Sequence, residues 1–220
     1  IGKALAAIKN GNYDRLVILP LFPQYASSTN GTAIQAVIDQ VRKWNTIPEI
    51  NAISQFYDHP AFLDAFAERI QSYQTENYDH VIFSYHGLPN RHLEKNHPNE
   101  SIKTCNCENV LPEFGKFCYK AACYQTTREL AKRLNLPKEK YSVSFQSRLS
   151  NNWMTPFTDK TLIDLAKKGN KKILVTAPAF VSDCLETTVE IGFEYKEMFI
   201  ENGGENLQMV DSLNDSPQWI

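Results

Sequence analysis

The sequence predicts an α/β fold in which short parallel strands alternate with helices that cover both faces of a sheet. Apolar runs of four to six residues recur along the 220-residue chain, and stretches with apolar spacings of three and four separate them. Each parallel crossover needs a helix-length connection, so this alternation is typical of parallel sheets. The apolar share of 42% is sufficient for packed cores.

The apolar runs and the periodic stretches give the elements in order. The candidate strands are residues 16–19, 50–54, 80–85, 141–145, 172–176 and 207–210. The clearest candidate helices are residues 32–44, 61–73, 123–134 and 183–202. Residues 1–8 resemble the middle of an amphipathic helix and the chain begins at Ile1 rather than Met, so we expect further residues to precede it.

The distribution of these strands predicts two domains. Residues 1–75 hold two strands, which are too few for a stable sheet alone, so they predict the second half of an N-terminal α/β domain. Residues 76–220 hold four strands and predict a C-terminal α/β domain. Its cysteine-containing loop at residues 88–122 lacks periodicity, and loops of this length inside compact domains are usually functional.

Composition excludes several classes of protein. The net charge of -2 gives no basic surplus for binding nucleic acid through its phosphates. No run approaches the roughly 18 apolar residues of a membrane span, and no signal peptide is recognisable. We therefore expect a cytoplasmic protein without a transmembrane segment, with peripheral membrane contact and oligomeric state left open.

His86 is the first candidate for chemistry. Ligands of open parallel sheets bind beyond the carboxyl ends of the strands, and His86 follows strand 80–85 directly and precedes Gly-Leu-Pro. Its imidazole can bind a borderline metal or accept a proton near neutral pH. Alternatively, His86 is a structural histidine whose ring nitrogens form hydrogen bonds inside the fold. The motif alone favours the two interpretations about equally.

A row of acidic residues is the second candidate. Glu186, Glu190 and Glu194 recur every four residues after strand 172–176, so they line one face of a helix. Facing a cleft, such a row makes a path for protons or divalent cations, whereas a solvated acidic face is the ordinary alternative. Asp183 and Glu186 also fit a capping box in which Asp183 is the N-cap.

The cysteines are the third candidate. Four of the five lie close together, namely Cys105, Cys107, Cys118 and Cys123. In a reducing compartment this clustering favours a metal centre over disulfides, and four thiolates suit an iron-sulfur cluster or zinc. The absence of Cys-x-x-Cys pairs weights the cluster above zinc and above free thiols. Cys184, at a helix start, is either a thiol of lowered pKa or, the interpretation we favour, a buried packing residue.

Four segments together resemble one known family. They are Leu-Pro-Leu-Phe-Pro-Gln-Tyr-Ala-Ser-Ser-Thr at 19–29, Phe-Ser-Tyr-His-Gly-Leu-Pro at 83–89, Phe-Gln-Ser-Arg at 145–148, and the segment 180–186. In this order, over essentially the whole chain, they resemble ferrochelatases of the bacterial type. The resemblance implies two similar doubly wound domains, the first incomplete here, with a porphyrin cleft between them. It also implies insertion of ferrous iron into protoporphyrin IX, with loss of two pyrrole protons.

The resemblance also implies roles for individual residues. The family's histidine falls on His86 and its acidic partner on Glu186, and its acidic row continues to Glu190 and Glu194, so that these four side chains handle iron and protons. Weaker candidates for contact with the porphyrin are Tyr25, Ser27, Ser28, Pro89 and Arg91.

A minority of bacterial members carry four cysteines after the histidine motif, which implies that Cys105, Cys107, Cys118 and Cys123 hold a [2Fe-2S] cluster, with zinc as the alternative. The cysteines of the animal-type cluster are absent, because Ser27 occupies one of their positions and the tail has none. Two competing functions stay open. One is a chelatase for another metal or tetrapyrrole such as sirohydrochlorin, and the other is a non-enzymatic haem- or metal-binding fragment.

Overall fold

The computed structural model describes residues 1–11, 13–97 and 100–220, without the side chain of Phe114. The strands are β1 (Arg15–Ile18), β2 (Glu49–Ala52), β3 (His80–His86), β4 (Tyr141–Gln146), β5 (Lys172–Thr176) and β6 (Asn206–Met209). The α-helices are α1 (Gly2–Asn10), α2 (Thr32–Val41), α3 (Pro60–Gln71), α4 (Asn90–Glu94), α5 (Tyr119–Arg133), α6 (Thr158–Lys167) and α7 (Lys196–Glu201). Two π-helical segments, Ser27–Gly31 and Glu186–Tyr195, run directly into α2 and α7.

The chain divides into two compact units, Ile1–Phe56 and Tyr57–Ile220. In the first unit, β1 and β2 pair in parallel, with Leu16 opposite Ile50. The core of this unit consists of Leu5, Leu16, Ile18 and Val41, contributed by α1, β1 and α2. The boundary between the units lies at residues 56/57, earlier than the predicted boundary at 75/76. The reason is that α3 belongs to the second unit, where it packs against α5. The assignment of two domains stays a prediction.

The second unit is built on a four-stranded parallel sheet in the order β4-β3-β5-β6. Central strand β3 is buried along its length until His86, which explains its continuous apolar sequence. On one face, Ile82 and Ile173 pack with residues of α6, the second π-helix and α7. On the other face, α5 packs against the sheet through Tyr124 and Phe145. The predicted parallel α/β architecture with helices on both faces is confirmed.

The strand order defines where a ligand should bind. The chain leaves β3 for β4 on one side and then returns across the sheet to β5 on the other. The carboxyl ends of β3 and β5 therefore flank a topological switch point, the usual ligand crevice of open α/β sheets. His86 ends β3, and the segment that leads to Glu186 follows β5.

The loop at residues 88–122 is more ordered than its sequence predicts. It contains α4 and a 3₁₀ segment (Glu113–Phe117), and α5 begins at Tyr119 instead of residue 123. Pro98 and Asn99 of this loop lie outside the described residues. In the part of the chain that the structure describes, every helix is too short or too polar to traverse a bilayer.

Candidate active site

His86 is held in a defined orientation at the end of β3. Its Nδ1 lies 2.7 Å from the carbonyl oxygen of Gly87. A carbonyl oxygen only accepts, so Nδ1 carries a proton, and whenever the ring is neutral its lone pair is on Nε2. The rings of Trp153 and Phe180 flank the imidazole, with centroids at 6.2 and 6.4 Å. Nε2 is therefore the nitrogen of His86 that can accept a proton or bind a metal.

Two contacts fix the backbone around His86. The hydroxyl of Tyr119, at the start of α5, donates to the carbonyl oxygen of His86 over 2.9 Å. The amide of Gly87 donates to the carbonyl of Gln146 over 2.9 Å, and a side chain at Gly87 would lie 3.0 Å from that same oxygen. Glycine at position 87 thus allows the ends of β3 and β4 to stay close together.

Glu186 is the first residue of the second π-helix and is half-buried. A hydrogen bond from the Cys184 thiol, its own backbone amide and the charge of His86 lower the pKa of Glu186 below its usual value, although burial opposes them. Its carboxylate therefore stays ionised at neutral pH. His86 pairs with Gln146 across β3 and β4, and Gln146 Nε2 donates to the carbonyl oxygen of Glu186 over 2.9 Å, so His86 and Glu186 lie at the same edge of the sheet.

Cys184 serves this carboxylate as a hydrogen-bond donor. Burial, followed by the hydrogen bond to Glu186, raises the pKa of the Cys184 thiol. A lowered pKa, one of the two interpretations of this cysteine, is therefore wrong. The thiol is half-buried and keeps its proton at neutral pH, which suits it as a donor to Glu186.

Glu190 is engaged by protein groups on all sides. Its carboxylate accepts from the amide and hydroxyl of Ser147 at 2.8 and 2.5 Å, from Gln146 Nε2 at 3.2 Å, and from the Tyr195 hydroxyl at 2.6 Å. Ser147 adopts a left-handed backbone conformation at φ 59° that directs its amide to the carboxylate. Glu194 is exposed. The acidic row thus passes from a half-buried residue, through one that is saturated with hydrogen bonds, to the surface.

Gln146, the last residue of β4, connects the sheet to the π-helix. Its Oε1 accepts from the Ser84 hydroxyl at 2.7 Å, and its Nε2 donates to the carbonyl oxygen of Glu186 at 2.9 Å as well as to Glu190. Its side chain is 1% exposed. Gln146 and Ser147 lie in the Phe-Gln-Ser-Arg segment, for which sequence patterns predicted no role in the site.

The capping box predicted at Asp183 is not formed. The π-helix begins after Leu185, and no side chain caps it. The Asp183 carboxylate instead accepts from the Thr187 hydroxyl, the Ser212 amide and the Asn214 side chain at 3.1, 3.1 and 2.7 Å. Asp183 therefore binds the segment after β6 to the start of the π-helix. Ten residues of π-helix are unusual, because π-hydrogen bonding mostly occurs as single-turn bulges, often at functional sites.

The weaker candidates fall in two places. Tyr25, Ser27 and Ser28 belong to the first compact unit, where Ser27 and Ser28 open the first π-helical segment. Pro89 and Arg91 belong to the second unit and line a surface cavity of about 570 Å³ together with Trp153. Trp153 also flanks His86, so one side chain contacts both His86 and this cavity.

The cysteines form a second group with a histidine that the sequence did not single out. His97 Nε2 lies 3.3 Å from Cys107 Sγ and 3.7 Å from Cys118 Sγ. The ligand atoms of His97, Cys105 and Cys107 all lie within 4.8 Å of one another, so this group can hold a metal ion. Cys123 is buried on α5 next to Tyr119 and does not join the group among the described residues. The only sign of this role in the sequence was that His97 precedes Cys107 by ten residues.

Comparison with known proteins shows the family of the chain. The whole chain, residues 1–220, matches the ferrochelatase family. It is 41% identical over 222 residues to a ferrochelatase of Pseudomonas fluorescens biotype C and 41% identical over 225 residues to one of Coxiella burnetii strain Dugway 5J108-111. All of the chain is covered in both cases, but only 65% and 62% of those relatives.

One solved structure, SirB from Bacillus subtilis with Fe³⁺, superposes with a TM-score of 0.61 at 12% sequence identity. The superposition covers all of this chain and 72% of that one, and it supports the fold alone. The family match extends over every residue of the chain, including the segments around His86, Gln146 and Glu186. The chain therefore belongs to the ferrochelatase family.

Proposed function

We propose that the protein inserts ferrous iron into protoporphyrin IX to form haem, acting as a metal chelatase. The observation that carries this proposal is the placement of His86 and Glu186 at one edge of the sheet, bridged by Gln146, in a chain of the ferrochelatase family. The reaction exchanges two pyrrole protons for one Fe²⁺, so it needs a base near the macrocycle and a negative group that attracts the cation.

The environments of the two side chains support a division of these tasks. A general base needs a lone pair within reach of the proton that it takes, and His86 can present one on Nε2 because its Nδ1 is bound to the Gly87 carbonyl. Glu186 is a poorer base because its pKa is lowered, but its permanent charge makes it the better group for attracting Fe²⁺. His86 would accept the pyrrole protons while Glu186 would bind the incoming iron.

Glu190 and Glu194, the rest of the acidic row, would support the passage of iron to Glu186. Glu190 accepts four hydrogen bonds, so binding iron there would break some of them, and we assign it chiefly to positioning the π-helix. Exposed Glu194 would meet hydrated iron at the surface. For the porphyrin, Arg91 is suited to a propionate carboxylate, while Pro89, Tyr25, Ser27 and Ser28 would supply further contacts.

We also propose a resident metal centre in the cysteine loop and a cytoplasmic location. All five cysteines are unpaired, which is typical of a reducing compartment. The predicted four-cysteine [2Fe-2S] cluster fits these residues poorly, because Cys123 lies apart from the other three cysteines. Zinc is the alternative metal. Contact with a membrane surface stays a prediction.

The test is a metalloporphyrin assay on the full-length protein. Anaerobic Fe²⁺ and protoporphyrin IX should give haem with turnover, and His86→Ala and Glu186→Ala should each lower the rate at least about 100-fold. The matched controls, His59→Ala and Glu197→Gln, change exposed residues and should behave as wild type. Stoichiometric porphyrin binding without turnover would indicate a haem carrier, and turnover with sirohydrochlorin alone would indicate the other chelatase. Coproporphyrin is assayed in parallel to define the substrate.

A further inference from the structure

We propose that His97, Cys105, Cys107 and Cys118 form a closed site for a single zinc ion, and that Cys123 is not a ligand. The site lies in the loop between α4 and α5 and is separate from the pair His86 and Glu186. Its role would be structural, because four protein ligands leave no position for a substrate.

The spacing of the ligand atoms fits one ion. In a tetrahedral zinc site with Zn–S near 2.3 Å and Zn–N near 2.0 Å, neighbouring ligand atoms are about 3.5–3.8 Å apart. His97 Nε2 lies 3.3 and 3.7 Å from Cys107 Sγ and Cys118 Sγ, and Cys105 Sγ is within 4.8 Å of both His97 and Cys107. A two-iron cluster would instead divide four ligands into two separated pairs, with bridging sulfides between them.

His97 is prepared to act as a ligand. Its Nδ1 lies 2.8 Å from the carbonyl oxygen of Leu93, so Nδ1 carries the proton and Nε2 directs its lone pair at the thiols. Metal-binding histidines characteristically donate their other N–H to a carbonyl or carboxylate in this way. The turn that follows α4 places the ring, through the bond from the His97 amide to the carbonyl of Glu94 at 3.1 Å. The side chain is buried, with 5% of the residue exposed.

Helix geometry excludes Cys123. Cys118 is the N-cap of α5, and Cys123 lies five residues further along. Five residues correspond to about 500° of rotation, or about 140° around the helix axis, so the two thiols point to different sides. Cys123 shares its side with Tyr119 and with Thr127, whose hydroxyl lies 2.8 Å from that of Tyr85 on β3. The Cys123 thiol therefore faces the sheet.

The surroundings suit the charge of the proposed site. Three thiolates and Zn²⁺ leave one net negative charge. Lys120 Nζ lies 4.0 Å from Cys105 Sγ, and the Ala121 amide donates to Cys118 Sγ over 3.5 Å at the N-terminus of α5. The Lys120 side chain is only 12% exposed and also forms a salt bridge to Glu108 over 2.9 Å, so it offsets part of the charge of the site. The three cysteines are buried as well.

The metal content of the full-length protein tests this proposal. The protein is purified anaerobically and assayed for zinc, iron and acid-labile sulfide, and its zinc-edge X-ray absorption is recorded. We expect one zinc per chain, no sulfide, and a shell of three sulfurs at about 2.3 Å and one nitrogen at about 2.0 Å. Iron with equimolar sulfide, or a shell of four sulfurs, would overturn the proposal, and neither result depends on a variant's folding.

Matched variants then identify the ligands. His97→Ala and Cys107→Ser should each lower zinc content at least about tenfold, whereas Cys123→Ala and His92→Ala should retain it. Circular dichroism checks that each variant is folded. Loss of metal in Cys123→Ala together with retention in His97→Ala would show that the four ligands are cysteines, including Cys123. That result would refute the proposed site with His97. Chelatase activity enters none of these readouts, so the site stands or fails separately from the proposed reaction.

Discussion

Replacing Gln146 with leucine removes the side chain that connects β4 to the start of the π-helix. Leucine has nearly the same volume but none of the three polar contacts. The Ser84 hydroxyl loses its acceptor but keeps Thr158 at 2.9 Å, whereas the carbonyl of Glu186 loses its donor over 2.9 Å. Glu190 loses one of four donors, at 3.2 Å.

The magnitude follows from these contacts. A neutral hydrogen bond contributes about 1 kcal/mol, and one to a charged group about 1.5–3 kcal/mol. Two neutral bonds and one long bond to a carboxylate, taken at the low end of its range, therefore give a loss of about 3.5 kcal/mol in the free energy of unfolding. Activity should fall further than stability alone explains, because a shift of about 1 Å in a positioned group can cost about 100-fold in rate.

Two assays on full-length Gln146→Leu separate these effects. Urea unfolding gives the change in stability, and initial rates of metalloporphyrin formation at temperatures where the variant is fully folded give kcat and KM. We expect kcat to fall about 100-fold with little change in KM for porphyrin. A variant of wild-type stability and wild-type kcat would refute the positioning role of Gln146.

Two further changes test the electrostatics of the second unit. Cys184→Ala removes the donor that lowers the pKa of Glu186, so the acid limb of the kcat/KM pH profile should move to higher pH; an unmoved limb would contradict this assignment. Because the pKa of Glu186 is lowered in the folded state, its ionisation stabilises the fold at pH values above the usual glutamate pKa. This stabilisation is lost as pH falls through the lowered pKa, and it should be smaller in the variant. Arg148→Lys breaks the paired bonds to Asp159 at 2.7 and 2.8 Å and the stacking on Phe157 at 4.0 Å. It should cost about 1–2 kcal/mol in urea unfolding, and an unchanged midpoint would contradict that value.

The strands were predictable because buried parallel strands are continuous apolar runs. β5 has the predicted bounds, Lys172–Thr176, and β3 extends one residue further, to His86. Placing His86 near Glu186 needed only the rule that the carboxyl ends of parallel strands share an edge. The sequence therefore supported the pair that carries the proposed chemistry.

Other features depend on contacts that sequence patterns do not encode. An apolar spacing of three and four is compatible with both α- and π-hydrogen bonding, so the π-helix was not predicted. For the same reason Asp183 was predicted as an N-cap, although its carboxylate binds Thr187, Ser212 and Asn214 instead. Helix α5 starts early because the Cys118 side chain accepts the Ala121 amide, which leaves no periodic signal. His97 meets Cys107 only through the turn after α4, a tertiary contact between residues ten positions apart.

The central claim is that His86 takes the protons displaced by iron. Its most direct test is the single-turnover rate of Fe²⁺ insertion by the full-length His86→Ala variant at saturating protoporphyrin, with porphyrin affinity measured separately by fluorescence. Loss of a general base should lower this rate about 10²- to 10⁴-fold while leaving porphyrin affinity unchanged. A rate within about threefold of wild type would contradict the assignment, since base catalysis contributes far more than that.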